Sequence, residues 1–558
     1  MVKIELSDWL YNAGVIGLYR MLEHAGIMVN ASNNSIEINE DDLDNFGDMY
    51  FEYLIDKYLE YTSYYNIISV KSDFEAYKKE EINDKQLEKL NKQIDYIKDK
   101  CKSNSYKAAY ELIPHIEFDA VGESKKLTKV KFNKDKQTIQ DVWDKIEENI
   151  NQYVKIVEYF EQPEVKKYIV AKNVMYDIVQ QFWENVSFMH KTSNKKDMYI
   201  LATEDFGQTV QAYQEVSHEK DKYQCTQCCN PISKLSKPAS YDLTWLKRIG
   251  VDGGRKSSHF WNYNADAIIC PACRMVYACM PLGFSILRGQ GLFINENSSV
   301  KALKAINELN FRDSTNIEDL EQQSYYNLIN IVSQQDVRKS DKYIQNIQIV
   351  KFNSQNERRP YTFNMLSRDK IDKLSKVEKS LGFIIKVRVK DVSDKYINVY
   401  AEVIQNIYNN NNQFELISRL IYLLLKGNTK NTSVIYHVLN INNAFMGGSG
   451  KVYYKKIEES RNNGAQLRVK YIATSKENKI AGLSHKLLNA LKTKNTARFT
   501  ETVLNAYMHL NIAVPYVFIE ALQDEERLQT LGYAFLLGLQ GETKTSDNKE
   551  NKGEENNG

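Results

Sequence analysis

The sequence of 558 residues lacks an apolar run close to the ~20 residues that a helix needs to cross a bilayer. The longest candidate, residues 420–425, is short and is predicted to be part of a buried helix. The chain begins Met1-Val2-Lys3 and shows none of the basic and then apolar character of a secretory leader. We therefore expect a cytoplasmic protein.

Familiar catalytic motifs are missing as well. The sequence has no H-E-x-x-H, no G-x-S-x-G and no paired His and Asp suited to two-metal cleavage of phosphates, and its eight histidines are scattered singly. Residues 445–451 superficially resemble a phosphate-binding loop. However, Phe445 stands where a glycine is required, and Val452 stands where Ser or Thr would bind Mg²⁺. We therefore interpret this stretch as a flexible joint and predict a binding protein, not an enzyme.

The small net charge of +2 conceals an uneven distribution. Residues 1–100 carry 20 Asp and Glu against 11 Lys and Arg, whereas residues 351–390 carry 11 Lys and Arg against 4 acids. Residues 446–516 carry 12 Lys and Arg against 4 acids. Such basic zones either solvate helices or attract the phosphates of nucleic acid. Because a third basic zone lies between the cysteine pairs described next, we favour nucleic acid.

Two C-x-x-C pairs stand near the middle of the chain, Cys225 with Cys228 and Cys270 with Cys273, and 41 residues separate them. Two cysteines three positions apart on a tight turn can direct both sulfurs to one point, so two pairs complete a tetrahedron around Zn²⁺. Short apolar runs flank the second pair, as in the hairpin of a zinc ribbon. We therefore predict a structural zinc site with these four ligands, and we expect the second pair to lie at a hairpin tip.

Other roles for the cysteines stay open at this point. Disulfides would need an oxidising compartment, and a redox C-x-x-C usually occurs alone, but both remain alternatives, as do unliganded thiols. His218 or His259 could replace one sulfur, although each is expected to be an ordinary polar histidine. Cys101, Cys229 and Cys279 lie outside the pattern and are interpreted as buried or incidental thiols.

The segment between the pairs combines positive charge with aromatic rings. Against three acids it carries six basic residues: Lys234, Lys237, Lys247, Arg248, Arg255 and Lys256. Its main aromatic residues are Tyr241, Trp245, Phe260, Trp261 and Tyr263. For the two tryptophans we favour a small core pinned by the metal over stacking on bases, because stacking requires an exposed ring. Residues 252–256 are predicted to form a contact loop, since their two glycines let a backbone approach closely before two cations.

Further basic residues lie beyond this segment. Arg358 and Arg359 precede a proline in a predicted turn, and residues 383–390 alternate apolar with basic side chains. The alternation predicts a strand with three cations on one face. The complete set of predicted nucleic-acid contacts is Lys247, Arg248, Arg255, Lys256, Arg358, Arg359, Lys386, Arg388 and Lys390. Such contacts hold a phosphate backbone without reading its sequence.

The predicted fold class is α+β, multi-domain and mostly helical, with a zinc-ribbon-like insert and a C-terminal helical bundle. The predicted domains are an N-terminal α+β domain (1–205), a zinc-binding segment (206–297), a mixed region with the basic strand face (298–412), a helical bundle (413–541) and a disordered tail (542–558). Within the bundle, helices are predicted at about 451–473, 478–493, 496–510 and 516–539.

Near the start of the chain, Ser7 and Asp8 can cap a helix that ends at Gly26. Gly14 and Gly17 lie near the middle of this helix, and glycines at such positions usually allow another element to pack closely. Residues 8–18, Asp-Trp-Leu-Tyr-Asn-Ala-Gly-Val-Ile-Gly-Leu, resemble the opening motif of a CRISPR-associated family named for its two C-x-x-C pairs. The mid-chain position of the cysteines, the total length and the helical C-terminal end also agree with that family.

The resemblance implies the large subunit of the type I-B Cascade surveillance complex. Such a subunit is non-catalytic, recognises the short motif flanking a DNA target, assists duplex opening and recruits the helicase-nuclease. Its partners would be guide RNA, target DNA, the backbone and guide-end subunits of Cascade, and that nuclease. In type I-B relatives the C-terminal bundle is also made separately, as a small subunit, and Met446 is the candidate internal start here. The alternative is a free-standing zinc-containing DNA-binding regulator.

Overall fold

The computed structural model describes most of the chain. The residues outside its description are 79–81, 115–117, 132–137, 194, 250–266, 309–346, 357, 386, 447–450, 523–524 and 542–558, and for 368, 372, 451–453, 520 and 521 only the backbone is described. The chain divides into unit 1, Met1–Phe311 with Ile347–Phe363, and unit 2, Arg312–Asn346 with Asn364–Gly558. No helix in the described part is long and apolar enough to cross a membrane.

Unit 1 begins with a small antiparallel sheet and one buried helix. The sheet has the order β1 (Val2–Glu5), β3 (Ser35–Ile38), β2 (Asn30–Ala31), with Val2 opposite Ile38. Helix α1 (Trp9–His24) begins where the Asp8 carboxylate accepts hydrogen bonds from the Leu10 and Tyr11 amides, and it ends before Gly26, whose φ is +79°. Both predicted boundaries of the first helix are therefore confirmed.

The remaining helices of unit 1 form two packed groups. One group, with its own core of buried residues between Tyr64 and Val170, is built mainly from α3 to α9, and the other surrounds α1. The described helices after α1 are α2 (Phe46–Tyr58), α3 (Ser63–Ile68), α4 (Lys71–Tyr77), α5 (Asp84–Cys101), α6 (Asn104–Tyr110), α7 (Ala120–Lys126), α8 (Trp143–Phe160), α9 (Pro163–Asp177), α10 (Met198–Ala202), α11 (Thr209–Glu215), α12 (Pro271–Ala278), α13 (Met280–Gly283) and α14 (Val300–Asn307).

Two further sets of strands complete unit 1. A two-stranded hairpin joins β4 (Tyr223–Gln224) to β5 (Pro231–Ile232). A four-stranded sheet has the order β6 (Ser285–Leu287), β7 (Gln290–Asn295), β8 (Ile347–Asn353) and β9 (Tyr361–Leu366), the last of which continues past residue 363 into unit 2. Strands β6, β7 and β8 pair antiparallel, with Ser285 opposite Leu292 and Gln290 opposite Asn353.

Unit 2 is a helical bundle with one short hairpin, β10 (Arg388–Lys390) and β11 (Tyr396–Asn398). Its described helices are α15 (Arg368–Lys376), α16 (Glu378–Ile384), α17 (Val399–Tyr408), α18 (Phe414–Leu425), α19 (Thr432–Phe445), α20 (Lys451–Ala473), α21 (Asn478–Lys492), α22 (Thr496–Met508), α23 (Val517–Ala521) and α24 (Glu525–Gln540). Helices α20 and α24 pack backbone to backbone, since a Cβ at Gly538 would lie 1.8 Å from the Arg461 carbonyl oxygen. The α+β, mostly helical fold class is thus confirmed.

Candidate metal centre

The four cysteines of the two C-x-x-C pairs come together in unit 1. Their Sγ atoms all lie within 4.8 Å of one another, and the Sγ atoms of Cys228 and Cys270 are 3.7 Å apart. A tetrahedral ion with Zn–S bonds of about 2.3 Å places neighbouring sulfurs about 3.8 Å apart. None of the seven cysteines of the chain is in a disulfide in this structure. The donor set therefore fits one tetrahedral metal ion held by four thiolates.

The first pair lies on the hairpin between β4 and β5, and backbone hydrogen bonds fix the turn that carries it. The Cys225 amide donates to the Asn230 carbonyl at 2.9 Å, and the Cys229 amide donates to the Cys225 carbonyl at 2.9 Å. Cys229 has a φ of +60°, which closes the turn, and its side chain is exposed. The Thr226 amide and hydroxyl both donate to the Ile268 carbonyl, so the hairpin is attached to the chain just before the second pair.

The second pair lies at the beginning of a helix, and the predicted hairpin tip is wrong. Cys270 is the N-cap of α12, Pro271 occupies the first turn, and the Cys273 amide donates to the Cys270 Sγ at 3.5 Å. The residues after Cys273 are helical because a proline at this position favours the start of a helix and disfavours a strand. The consequence is electrostatic: the amide dipoles at a helix N-terminus stabilise negative charge on sulfur.

The neighbouring sulfurs compete for ionisation. Hydrogen bonding from Cys228, and then from Cys270 and Cys273, lowers the pKa of the Cys225 thiol. Hydrogen bonding with Cys225 raises the pKa of Cys273 well above its ordinary value. Three of the four side chains are at least 99% buried, with only Cys228 partly accessible. Four thiolates at this spacing repel one another, and a divalent cation removes that repulsion.

Helix α1 lies directly against the cluster. The Tyr11 hydroxyl is 3.4 Å from the Cys273 Sγ, and the Tyr11 ring meets that of Tyr277 edge to face at 5.3 Å. The Tyr277 hydroxyl donates to Gln227, which stands between the cysteines of the first pair, at 2.9 Å. The opening motif and both C-x-x-C pairs thus form one contiguous structure, although about 260 residues separate Tyr11 from Cys273.

Glycines make this approach of α1 possible. A Cβ at Gly14 would lie 2.2 Å from the Val276 carbonyl oxygen, and one at Gly17 would lie 2.1 Å from the Cys279 carbonyl oxygen. Both oxygens belong to the backbone at α12 and its C-cap, where no side chain can move aside. The prediction that these glycines allow close packing is confirmed, and the packed element is the helix that carries the second cysteine pair.

The comparisons with known proteins concern this same region. Residues 218–285 match the model of a family described as CRISPR-associated protein (Cas_CXXC_CXXC). The match supports a CRISPR-associated protein of that family. It includes all four cysteines, and it spans the hairpin and the α12 helix described above. No curated protein and no solved structure matches the chain.

Two aromatic residues between the cysteine pairs, Tyr241 and Trp245, belong to the core of unit 1. Trp245 is 4% exposed, meets Trp183 edge to face at 5.5 Å, and donates its indole N–H to the Asp242 carbonyl. Tyr241 is 5% exposed. The preference for core over base stacking is confirmed for Trp245, but the core is the large one around α1 and not a separate miniature fold. Phe260, Trp261 and Tyr263 lie outside the described residues.

Both ring nitrogens of His218 have partners other than the four cysteines. His218 Nδ1 is 2.6 Å from an Asp221 carboxylate oxygen and its Nε2 is 2.8 Å from the Tyr213 carbonyl oxygen. With both ring nitrogens engaged, His218 is the ordinary polar histidine that the sequence predicted. His259 falls outside the described part of the chain. The described ligand set of the candidate site therefore contains sulfur alone.

The predicted nucleic-acid contacts in unit 1 differ in their exposure and in their partners within the protein. Lys247 is half-buried and its Nζ is 2.9 Å from a Glu184 carboxylate oxygen, so its charge is locally neutralised. The Arg248 guanidinium lies 5.7 Å from the centre of the Phe352 ring. Arg358 and Arg359 are exposed in the connection that leads to β9. The contact loop at 252–256, with Arg255 and Lys256, is not among the described residues.

The predicted basic strand of unit 2 is shorter than expected. Residues up to Ile384 are helical, and only Arg388–Lys390 form a strand, because Leu381 and Ile384 are buried three positions apart on α16. Arg388 and Lys390 are exposed on either side of the buried Val389, so these two cations do share a face. Lys386 is outside the described residues. Lys390 also pairs with Asp394 at 2.7 Å, an exposed contact of small energy.

Proposed function

We propose that this chain is the non-catalytic large subunit of a type I-B CRISPR interference complex. The observation that carries the proposal is the match of residues 218–285 to a CRISPR-associated family, on a segment whose four cysteines meet at one point. The opening motif of residues 8–18, which resembles the start of the same family, packs on that segment through Tyr11 and Gly14. Two independent parts of the resemblance thus meet in space.

We propose that the ion at the cysteine cluster is structural Zn²⁺. Sulfur-only tetrahedral sites are typical of zinc or iron, and a single ion on two C-x-x-C pairs is the usual zinc arrangement. Four protein ligands would leave no open position for an activated water, which favours a structural role. Cys225 and Cys228 would tie the β4–β5 hairpin to the helix that begins at Cys270. We likewise propose that the chain is not an enzyme.

In this function the basic residues hold nucleic acid backbones. Arg248, Arg358 and Arg359 in unit 1 and the pair Arg388 and Lys390 in unit 2 would contact phosphates of target DNA or guide RNA. Base pairing between guide and target reads most of the sequence, and the protein reads the short flanking motif and the backbone. The subunit would then assist duplex opening and recruit the helicase-nuclease. Contacts of this kind weaken steeply as the salt concentration rises.

The proposed partners are the backbone and guide-end subunits of Cascade, guide RNA, target DNA and the helicase-nuclease, in the cytoplasm. The bundle of α20 to α24 would also serve as a separately made small subunit. Met446 is its proposed start, because it is the C-cap of α19 and α20 begins at Lys451.

Affinity purification of the tagged full chain from its native host tests this function. The proposal predicts co-purification of short guide RNAs and of several other CRISPR-associated subunits, even after washes in moderate salt. A free-standing regulator would instead be recovered without RNA and would bind one defined duplex. Recovery without guide RNA or partner subunits would overturn the proposal, as would Mg²⁺-dependent or Mn²⁺-dependent cleavage of DNA by the purified chain.

A further inference from the structure

An aromatic cluster lies at one side of the four-stranded sheet of unit 1. On β9, Tyr361 and Phe363 are two positions apart and so project to the same face of the strand. Trp9, the second residue of the opening motif, lies beside both: its ring centre is 5.0 Å from that of Tyr361 and 5.2 Å from that of Phe363. We call Trp9, Tyr361 and Phe363 the β9 aromatic face.

Buried rings pack against one side of the β9 aromatic face, and part of the face is accessible to solvent. Phe284, fully buried, lies 6.5 Å from both Trp9 and Tyr361, and Phe352, 2% exposed, lies 5.2 Å from Tyr361. Phe363 is 47% exposed, while Trp9 and Tyr361 are half-buried. Packing on one side therefore fixes the rings, and nearly half of the Phe363 side chain remains available to a ligand.

Positive charge borders the same face. Arg358 and Arg359 are exposed three and two residues before Tyr361, and neither makes an ion pair within the described part of the chain. The Arg248 guanidinium lies over Phe352, the ring that supports Tyr361, and its buried Nη1 has no hydrogen-bond partner among the described residues. The Tyr361 hydroxyl is also buried without such a partner. The chain around the β9 aromatic face thus contains hydrogen-bond donors that have no partner, and arginines that have no ion pair, among the described residues.

We propose that the β9 aromatic face binds unpaired bases of single-stranded nucleic acid. A base stacks on the exposed side of Phe363, and Arg358 and Arg359 contact the adjoining phosphates. Stacking platforms beside arginines bind single strands with little sequence preference, because every base offers a flat face. Bases in a duplex are already stacked on their neighbours and do not reach such a ring.

This inference rests on the proposed function, since a strand opened beside the flanking motif would supply the unpaired bases. The commitment to nucleic acid, over a protein partner, comes from charge. Two exposed arginines next to a flat ring complement a phosphate backbone and its bases together. A protein partner would use the apolar ring but would not require bases.

The test is the binding of full-length protein to fluorescent single strands, made as DNA and as RNA, by anisotropy at fixed salt. Phe363→Ala is expected to weaken binding roughly tenfold, in the range measured for the loss of one stacked base. Binding to a fully paired duplex should be unchanged. The matched control is Phe383→Ala, which removes the same ring at 45% exposure from unit 2 and should leave single-strand affinity intact. Arg358→Gln with Arg359→Gln should weaken binding and reduce its salt dependence.

An oligonucleotide of abasic sites separates the base from the backbone. The parent protein should bind it about tenfold more weakly than a normal strand, and Phe363→Ala should then cause no further loss. Equal single-strand affinity of the parent and Phe363→Ala proteins would overturn the inference but leave the proposed function standing, provided that the duplex and guide RNA are still bound. An equal loss on normal and abasic strands would also overturn it. If the parent protein binds no nucleic acid at all, both proposals fail.

Discussion

Replacing Gly14 with alanine tests whether α1 and the metal-bearing helix α12 are built as one structure. The new Cβ would lie 2.2 Å from the Val276 carbonyl oxygen, about 1 Å closer than a tolerable contact. Because this oxygen is part of the backbone, the two helices must separate. Overpacking of this kind costs about 1–3 kcal/mol, and alanine returns about 1 kcal/mol of helix propensity. Taking the middle of the overpacking range, we expect a net loss of about 1 kcal/mol and a fall in melting temperature of about 1–2 °C.

The same substitution should affect the metal. Val276 lies three residues after Cys273, so a shift of α12 moves the second cysteine pair away from the first. We expect faster release of metal to a chromophoric chelator, followed alongside thermal unfolding. The matched control is Gly482→Ala, in the middle of α21, where an added Cβ meets no atom within 4 Å. This control should stabilise the protein by about 0.5–1 kcal/mol. A Gly14→Ala protein that melts and releases metal like the parent would refute the reasoning.

Two further predictions concern single buried side chains. Tyr11→Phe removes the hydroxyl that is 3.4 Å from the Cys273 Sγ. In a chelator competition, this variant should bind the metal about tenfold more weakly than the parent. The control is Tyr277→Phe, which removes a hydroxyl that contacts Gln227 and not a sulfur, and it should reduce metal affinity less. Equal affinities of the two variants would contradict this role of Tyr11. The second prediction concerns Lys172, whose pKa burial lowers from 10.5 to about 8. Between pH 8 and 10.5 the folded chain therefore binds fewer protons than the unfolded chain. The free energy of unfolding should rise with pH in that window. Lys172→Met should be more stable relative to the parent at pH 7 than at pH 10.5 in denaturant titrations, and a constant difference would argue against the shifted pKa.

Local sequence signals were sufficient for the bounds of two helices, α1 and α20. The Asp8 cap and the Gly26 stop defined α1, and the helix predicted at about 451–473 agrees with the bounds of α20, Lys451–Ala473. The meeting of the four cysteines also followed from spacing, since a C-x-x-C turn directs two sulfurs to one point. For the helix bounds and for each single C-x-x-C turn, the information lies within a few residues of the feature that it predicts.

Two predictions are wrong because the sequence carries a helix signal and a strand signal in the same short segment. The apolar run after Cys273 favours a strand, whereas Pro271 favours the first turn of a helix, and the structure has the helix. The alternation in residues 383–390 predicts one strand, whereas Leu381 and Ile384 have helical spacing and belong to α16. Helix and strand patterns are ambiguous over such short runs.

Other features depend on residues far apart in the chain. Tyr11 contacts a cysteine about 260 positions away, and the sequence indicated only that Gly14 and Gly17 would accept some close neighbour. The β9 aromatic face joins Trp9 to Tyr361 and Phe363 in the same way. Pairings over such distances are decided by tertiary packing, which leaves no periodic signal in either segment.

Elemental analysis of the full-length protein tests the central claim most directly. That claim is that the two cysteine pairs hold one structural Zn²⁺ and so join the hairpin at Cys225 to the helix at Cys270. Protein purified without added metal should contain about one zinc per chain. Cys225→Ser with Cys270→Ser should contain almost none and should melt at a lower temperature. The same metal content and melting temperature in parent and variant would contradict the account.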